Sequence, residues 1–225
     1  MTYDKEQVKQ HAEQLVNDLG ISTKNLEMTA DLESNKPLIR QVQHDAGFKK
    51  GNELLRNYLP GFYWQVNWLK PKSISIVMGS SSEKQQQDNN KITVVYDNHG
   101  NLLEFSRHIP DSTALPTVSE EKARKIVREF ISQFGTIQNL TAKHNTIQDT
   151  SKLTYFSFIS GSNEEYDFKI ERKVELPNRT DYQYIWMGNS SYIKDKIEMN
   201  ITVSGSVVSK FKLDYEIPER QLRRR

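Results

Sequence analysis

The chain has 225 residues, with Lys+Arg 31 against Asp+Glu 29 and a formal net charge of +2. That balance excludes the strong basic face by which nucleic-acid readers are recognised. The absence of cysteine excludes disulfides, thiolate zinc sites and cysteine nucleophiles. Mean hydropathy is −0.73 with 36% hydrophobic and 10% aromatic residues, so the expected core is thin and rich in rings, while disorder would go with few aromatics.

Helical periodicity opens the chain. Val8, Ala12, Leu15, Val16 and Leu19 recur at the spacing of one apolar helix face. Asp4 is the expected N-cap, Gln7 stands at capping-box distance, and Gly20 closes the helix. From Pro37 to Tyr58 the pattern, with Leu38, Val42, Leu54 and Leu55, predicts mostly helix. Strands are expected at Tyr63–Leu69 and Ser73–Met78. The polar run from Gly79 to Asn90 reads as a loop. A hairpin follows: Ile92–Tyr96, a turn at Asp97-Asn98-His99-Gly100, then Leu102–Phe105 and a stop at Ile109-Pro110-Asp111.

The same order then recurs. Ser119 caps a second amphipathic helix with Ala123, Ile126, Val127, Phe130, Ile131 and Phe134, closed by Gly135. Asp4 aligns with Ser119 and Gly20 with Gly135, an offset of 115 residues. Strands are expected near Thr154–Ser160, Tyr166–Glu175 and Tyr182–Met187, and a final hairpin turns at Ser204-Gly205-Ser206 before Ile217-Pro218-Glu219. In its last strand Val207, Phe211, Leu213, Tyr215 and Ile217 share one face, with Val208, Lys210, Lys212, Asp214 and Glu216 on the other. Self-similarity at a fixed offset reads as an internal repeat. The expected fold is α+β: two tandem repeats, residues 1–112 and 113–225, each a helix packed on one face of an antiparallel sheet. The arrangement is similar to cystatin-like and PepSY-like folds.

Two stretches carry a family resemblance: Gly61-Phe62-Tyr63-Trp64-Gln65-Val66-Asn67-Trp68-Leu69-Lys70-Pro71, and Pro177-Asn178-Arg179-Thr180-Asp181-Tyr182-Gln183-Tyr184-Ile185-Trp186. With the endings at Pro110 and Pro218 they resemble the N-terminal extramembrane region of CPBP-type (CAAX-protease-like) intramembrane endopeptidases, over nearly the whole chain. The resemblance implies a parent protease whose catalytic glutamates and histidines lie in membrane helices. Glu120-Glu121-Lys122-Ala123-Arg124-Lys125 departs from that family's Glu-Glu-x-x-x-Arg signature at Lys125. It occupies the first turn of an amphipathic helix, where acids complement the dipole. No catalytic residue is carried over.

Other chemistry is sparse. The histidines, His11, His44, His99, His108 and His144, form no His-Glu-x-x-His pair. There is no Gly-x-Ser-x-Gly elbow and no phosphate-cradling Gly-rich loop. Glu164-Glu165 reads as a solvated acid pair. No metal site and no cofactor are expected, and the chain is read as not an enzyme. Trp64 and Trp68 share a strand face, as do Tyr182, Tyr184 and Trp186. They form the core beneath the helices or line a groove between the repeats, and aromatic clefts with few polar groups are typical ligand sites. The candidate ligand-binding residues are therefore Trp64, Trp68, Arg179, Asp181, Tyr182 and Trp186. Arg179 and Asp181 either form a structural ion pair or anchor a peptide end.

No run reaches the roughly 18 apolar residues of a membrane span, and Met1-Thr2-Tyr3-Asp4 lacks a signal pattern. Arg223, Arg224 and Arg225 read as a solvated tail or a juxtamembrane flank. The expected function is a non-catalytic, soluble accessory, ligand-binding or regulatory domain of a membrane-embedded CPBP-like protease, on the extracytoplasmic side of a bacterial membrane. Its expected partner is the membrane part of that parent or a peptide or protein ligand, not nucleic acid. The alternatives are a free-standing PepSY-like inhibitory module and a hydrolase with a carboxylate site.

Overall fold

Local signals place the helices. In the computed structural model, which describes residues 4–71, 91–134, 152–154, 165–189 and 196–215, α1 spans Lys5–Asp18. Its cap is the expected reciprocal pair: Gln7 N donates to Asp4 Oδ1 at 2.8 Å and Asp4 N donates to Gln7 Oε1 at 3.0 Å. The helical stretch expected over Pro37–Tyr58 is two helices, α2 (Lys36–Ala46) and α3 (Phe48–Asn57). Gly47, at φ 77°, breaks them apart, because that region is closed to most side chains. The later helix α4 spans Glu120–Phe134, and Ser119 caps it by accepting from Lys122 N at 3.3 Å.

Among the described residues nine strands follow in chain order: β1 (Glu27–Ser34), β2 (Phe62–Leu69), β3 (Ile92–Asp97), β4 (Leu102–Arg107), β5 (Lys152–Thr154), β6 (Glu165–Leu176), β7 (Arg179–Asn189), β8 (Lys196–Ser204) and β9 (Val207–Tyr215). They form one open antiparallel sheet in the order β1-β2-β3-β4-β9-β8-β7-β6-β5. Both halves of the chain thus share a sheet. Their seam is the β4–β9 pairing, only three residue pairs long: Glu104 with Lys212, Phe105 with Phe211, and Ser106 with Lys210.

Strand β1 has no counterpart among the sequence-derived elements. Only Ala30 is buried along it, between exposed Glu27, Asp31 and Glu33. An edge strand rich in acids lacks the apolar alternation that marks a strand. The last strand also departs from its alternation. A bulge opposite Thr202 and Val203 adds a residue to β9, so Val208 pairs with Val203 and enters the core while Val207 sits beside Ser204. One extra residue reverses side-chain facing. The expected strand Ser73–Met78, the loop at 79–90, Gly135, the stretch 155–160, the Ile217-Pro218-Glu219 stop and the terminal arginines lie outside the described residues.

One hydrophobic cluster joins the apolar stripes of the helices to one face of the sheet. Helix α1 touches β1 and β2, and α4 touches β8 and β9. At the seam, the Phe130 ring of α4 lies 5.6 Å from Phe211 and 6.3 Å from Phe105, within the range of favourable tilted aromatic pairs. Arg124 of α4 ties the helix to the second half: its Nη2 donates at 2.6 Å to both Glu120 and Glu171. Burial and the Glu171 carboxylate together push the Tyr184 hydroxyl well above its ordinary pKa. No helix among the described residues is long and apolar enough to cross a membrane.

Candidate functional site

The sheet has two chemically opposite faces because strand side chains alternate. On the apolar face stand Trp64, Trp68, Tyr182, Tyr184 and Trp186, all buried and all in the core cluster. Tyr184 stacks between Tyr182, 6.4 Å away, and Trp186, 6.0 Å away. Tyr182 Oη donates to the Val118 carbonyl at 3.1 Å, fixing the approach to α4. Of the six residues singled out from the sequence, these four (Trp64, Trp68, Tyr182 and Trp186) are therefore beneath the helices, and none borders the groove on the opposite face.

Arg179 and Asp181 are elsewhere, at the start of β7, and they hold the turns of the molecule together. The Arg179 side chain is 2% exposed. Its Nε donates to Asp181 Oδ1 at 2.9 Å, and one terminal nitrogen donates to the carbonyls of Pro110 at 2.6 Å and Thr113 at 3.1 Å. The other donates to the Ile109 carbonyl at 3.2 Å and to Asp181 Oδ2 at 3.3 Å. All five guanidinium donors find acceptors, which is what lets an arginine be buried. Asp181 also accepts from Ser204 Oγ at 3.0 Å and Gly205 N at 3.2 Å. Asn178 Nδ2 adds a bond to the Ser112 carbonyl at 3.1 Å. The connection between β4 and α4 is thus strapped to the β6–β7 and β8–β9 turns. Gly205, at φ 56°, completes the strap: a Cβ there would lie 2.5 Å from Leu115 Cβ.

The polar face carries a cavity. A groove of about 810 Å³ lies across the seam. Its floor is a cross-strand row in perfect register: Asn67, Thr93, Ser106, Lys210, Thr202 and Gln183 stand opposite one another in turn on six successive strands. The middle four line the groove, as does Gln65. Ile109, Asp111, Arg179 and Asp181 line it beside the strap. With strands about 4.8 Å apart, a groove reaching from β2 to β7 is about 24 Å long, the span of roughly seven residues of extended chain. Nothing in the sequence marks these residues as a site, since a solvated sheet face has the same composition.

Two groups of this half are perturbed by burial. Asp97, the last residue of β3 and 3% exposed, has its pKa raised by desolvation, against hydrogen bonds from Asn101 and His99 that favour the carboxylate. Arg107, which borders the groove, has its pKa lowered by desolvation. Among the described residues, no group of three or more His, Asp or Glu is placed to hold a metal ion.

Fold and groove together define an α+β protein with a single open antiparallel sheet, apolar on one face, polar and grooved on the other. The chain belongs to the family described as YcdB, YcdC repeated domain (DUF4901), whose model matches residues 5–164, 160 of the 225. Comparison with curated proteins and with solved structures gives no match.

Proposed function

We propose that the chain is a non-catalytic binding module that takes an extended polypeptide segment into the groove across its seam. The observation that carries this reading is the groove floor. It offers the hydroxyls of Thr93, Ser106 and Thr202 and the ammonium of Lys210, from strands of both halves in one row, with the Gln65 amide beside them. Main-chain N–H and C=O groups of an extended peptide are complementary to such a floor. The wall supports the idea from within, since the chain's own segment 109–113 is held there through its carbonyls.

Selection from a random octapeptide library tests the reading. Enriched peptides should lose at least about tenfold in affinity, about 1.4 kcal/mol, when Thr202→Trp fills the groove, and should bind Glu33→Ala like the parent. Peptides indifferent to Thr202→Trp would place recognition elsewhere and end the proposal.

The finer architecture we propose is two tandem units, 1–112 and 113–225, each a helix over its part of the shared sheet in a PepSY-like manner. The setting we propose is the extracytoplasmic side of a membrane, as an accessory domain beside a CPBP-type endopeptidase; the alternative is a free-standing inhibitory module using the same groove. The motif resemblance supports the first setting, although its Trp64, Trp68, Arg179 and Asp181 all have structural employment here. Reading the parent gene decides between them: spans bearing the family's glutamates and histidines support the accessory role, and a reading frame without them removes it.

A further inference from the structure

We infer that the groove selects acidic peptide segments, with Lys210 at the centre of the floor meeting the carboxylate; this rests on the peptide-binding reading above. The argument is one of unequal neutralisation. Two of the three acids that line the groove are occupied by the protein itself: Asp181 is ion-paired with Arg179, and Asp111 Oδ1 lies 3.6 Å from the same guanidinium. The third, Glu104, accepts from Ser106 Oγ at 3.5 Å and stands opposite Lys212, whose ammonium pairs with Asp214. Three bases have no such partner. Lys91, His108 and Lys210 line the groove, and their side chains make no ion pair or hydrogen bond among the described residues.

A second observation points the same way. Arg107 borders the groove at the end of β4. It adds a further positive charge at that end of the groove, to which a ligand carboxylate is drawn. A concave surface lined by bases raises the local concentration of an incoming acid. Lys210 itself is exposed on the groove floor, paired by register with Ser106 and Thr202, so it can reach a ligand without breaking any contact of the fold.

The test uses two fluorescent octapeptides, one alternating Glu and Ser, the other alternating Gln and Ser, titrated by anisotropy against the full chain. The Glu peptide should bind at least about tenfold more tightly at low salt. That advantage should shrink to within about threefold at 0.5 M NaCl, where screening acts over a few ångströms. Lys210→Glu should abolish or invert the preference, and Lys210→Gln should reduce it if the Glu variant proves unstable. Equal affinities for the two peptides, both lost in Thr202→Trp, would end the acid selectivity and leave the peptide groove standing. A preference for the Glu peptide that survives both Lys210 variants and Lys91→Glu would place the site outside the groove and sink both ideas. Failure of the Glu peptide to bind at millimolar concentration also overturns the acid selectivity, while the library selection judges the groove independently.

Discussion

The two faces of the sheet are built from the same strands, residue by alternate residue, yet they answer to different physics. Phe105 and Phe211 meet across the seam on one side, fully buried under Phe130. One residue along, Ser106 and Lys210 meet on the other side, in a groove. The apolar face is fixed by area removed from water, so its residue types are close to obligatory. The polar face is constrained by stability only where a side chain is buried and bonded. What remains there is free to serve recognition, and that is why the candidate site lies on the face the rings do not occupy.

Substitutions can break or sharpen this contrast. Arg179→Ala challenges it most. A polar residue at the rim of the polar face should cost as much as a core ring, about 3–5 kcal/mol, because Asp181 and three carbonyls lose a buried cation; urea unfolding measures it, and a cost under about 1 kcal/mol would mean the strap is ornamental. Phe211→Ala should fall in the same range by leaving a cavity beneath Phe130, read from the same curves. Gly205→Ala should cost about 1–3 kcal/mol from its left-handed backbone, with more from the clash at Leu115. Thr202→Ala, by contrast, should stay within about 0.5 kcal/mol while weakening any groove ligand.

Asp97 supplies a pH test. Its folded pKa is raised, mainly by burial, so protonation is favoured by folding. The stabilising increment is fully present below the unfolded-state pKa and is lost as pH rises through the folded one. Plotted against pH from 3 to 7, the melting temperature of the parent minus that of Asp97→Asn should fall as pH rises through that window. A flat difference would show that the hydrogen bonds from Asn101 and His99 cancel the desolvation.

How much of this was legible depended on whether the signal was local. The capping box at Asp4 and Gln7, the stripes of α1 and α4, and the strands around Tyr182–Met187 could all be read directly, since periodicity and caps are properties of neighbours in sequence. Edge strand β1 could not, because its single buried Ala30 leaves no alternation to detect. Nor could the facing of Val207 and Val208, which a one-residue bulge exchanges. Among candidate site residues, Trp64, Trp68, Tyr182 and Trp186 were conspicuous for their rings, yet burial made them core. Arg179 and Asp181 were visible as a pair, whereas their bonds to Pro110, Thr113 and Gly205 span 24 to 69 residues and leave no local trace.

The sequence by itself determined the types of most elements, the α+β class and the sidedness of the strands bearing Trp64 and Trp68 and bearing Tyr182, Tyr184 and Trp186, because these follow from the alternation of apolar and polar residues over a few positions. Tertiary structure alone decided that β4 pairs with β9 to join both halves in one sheet, and that Thr93, Ser106, Lys210 and Thr202 line up across it. Register between distant strands is set by the packing of the buried face. A row of polar side chains on the opposite face inherits its alignment from contacts it does not itself make.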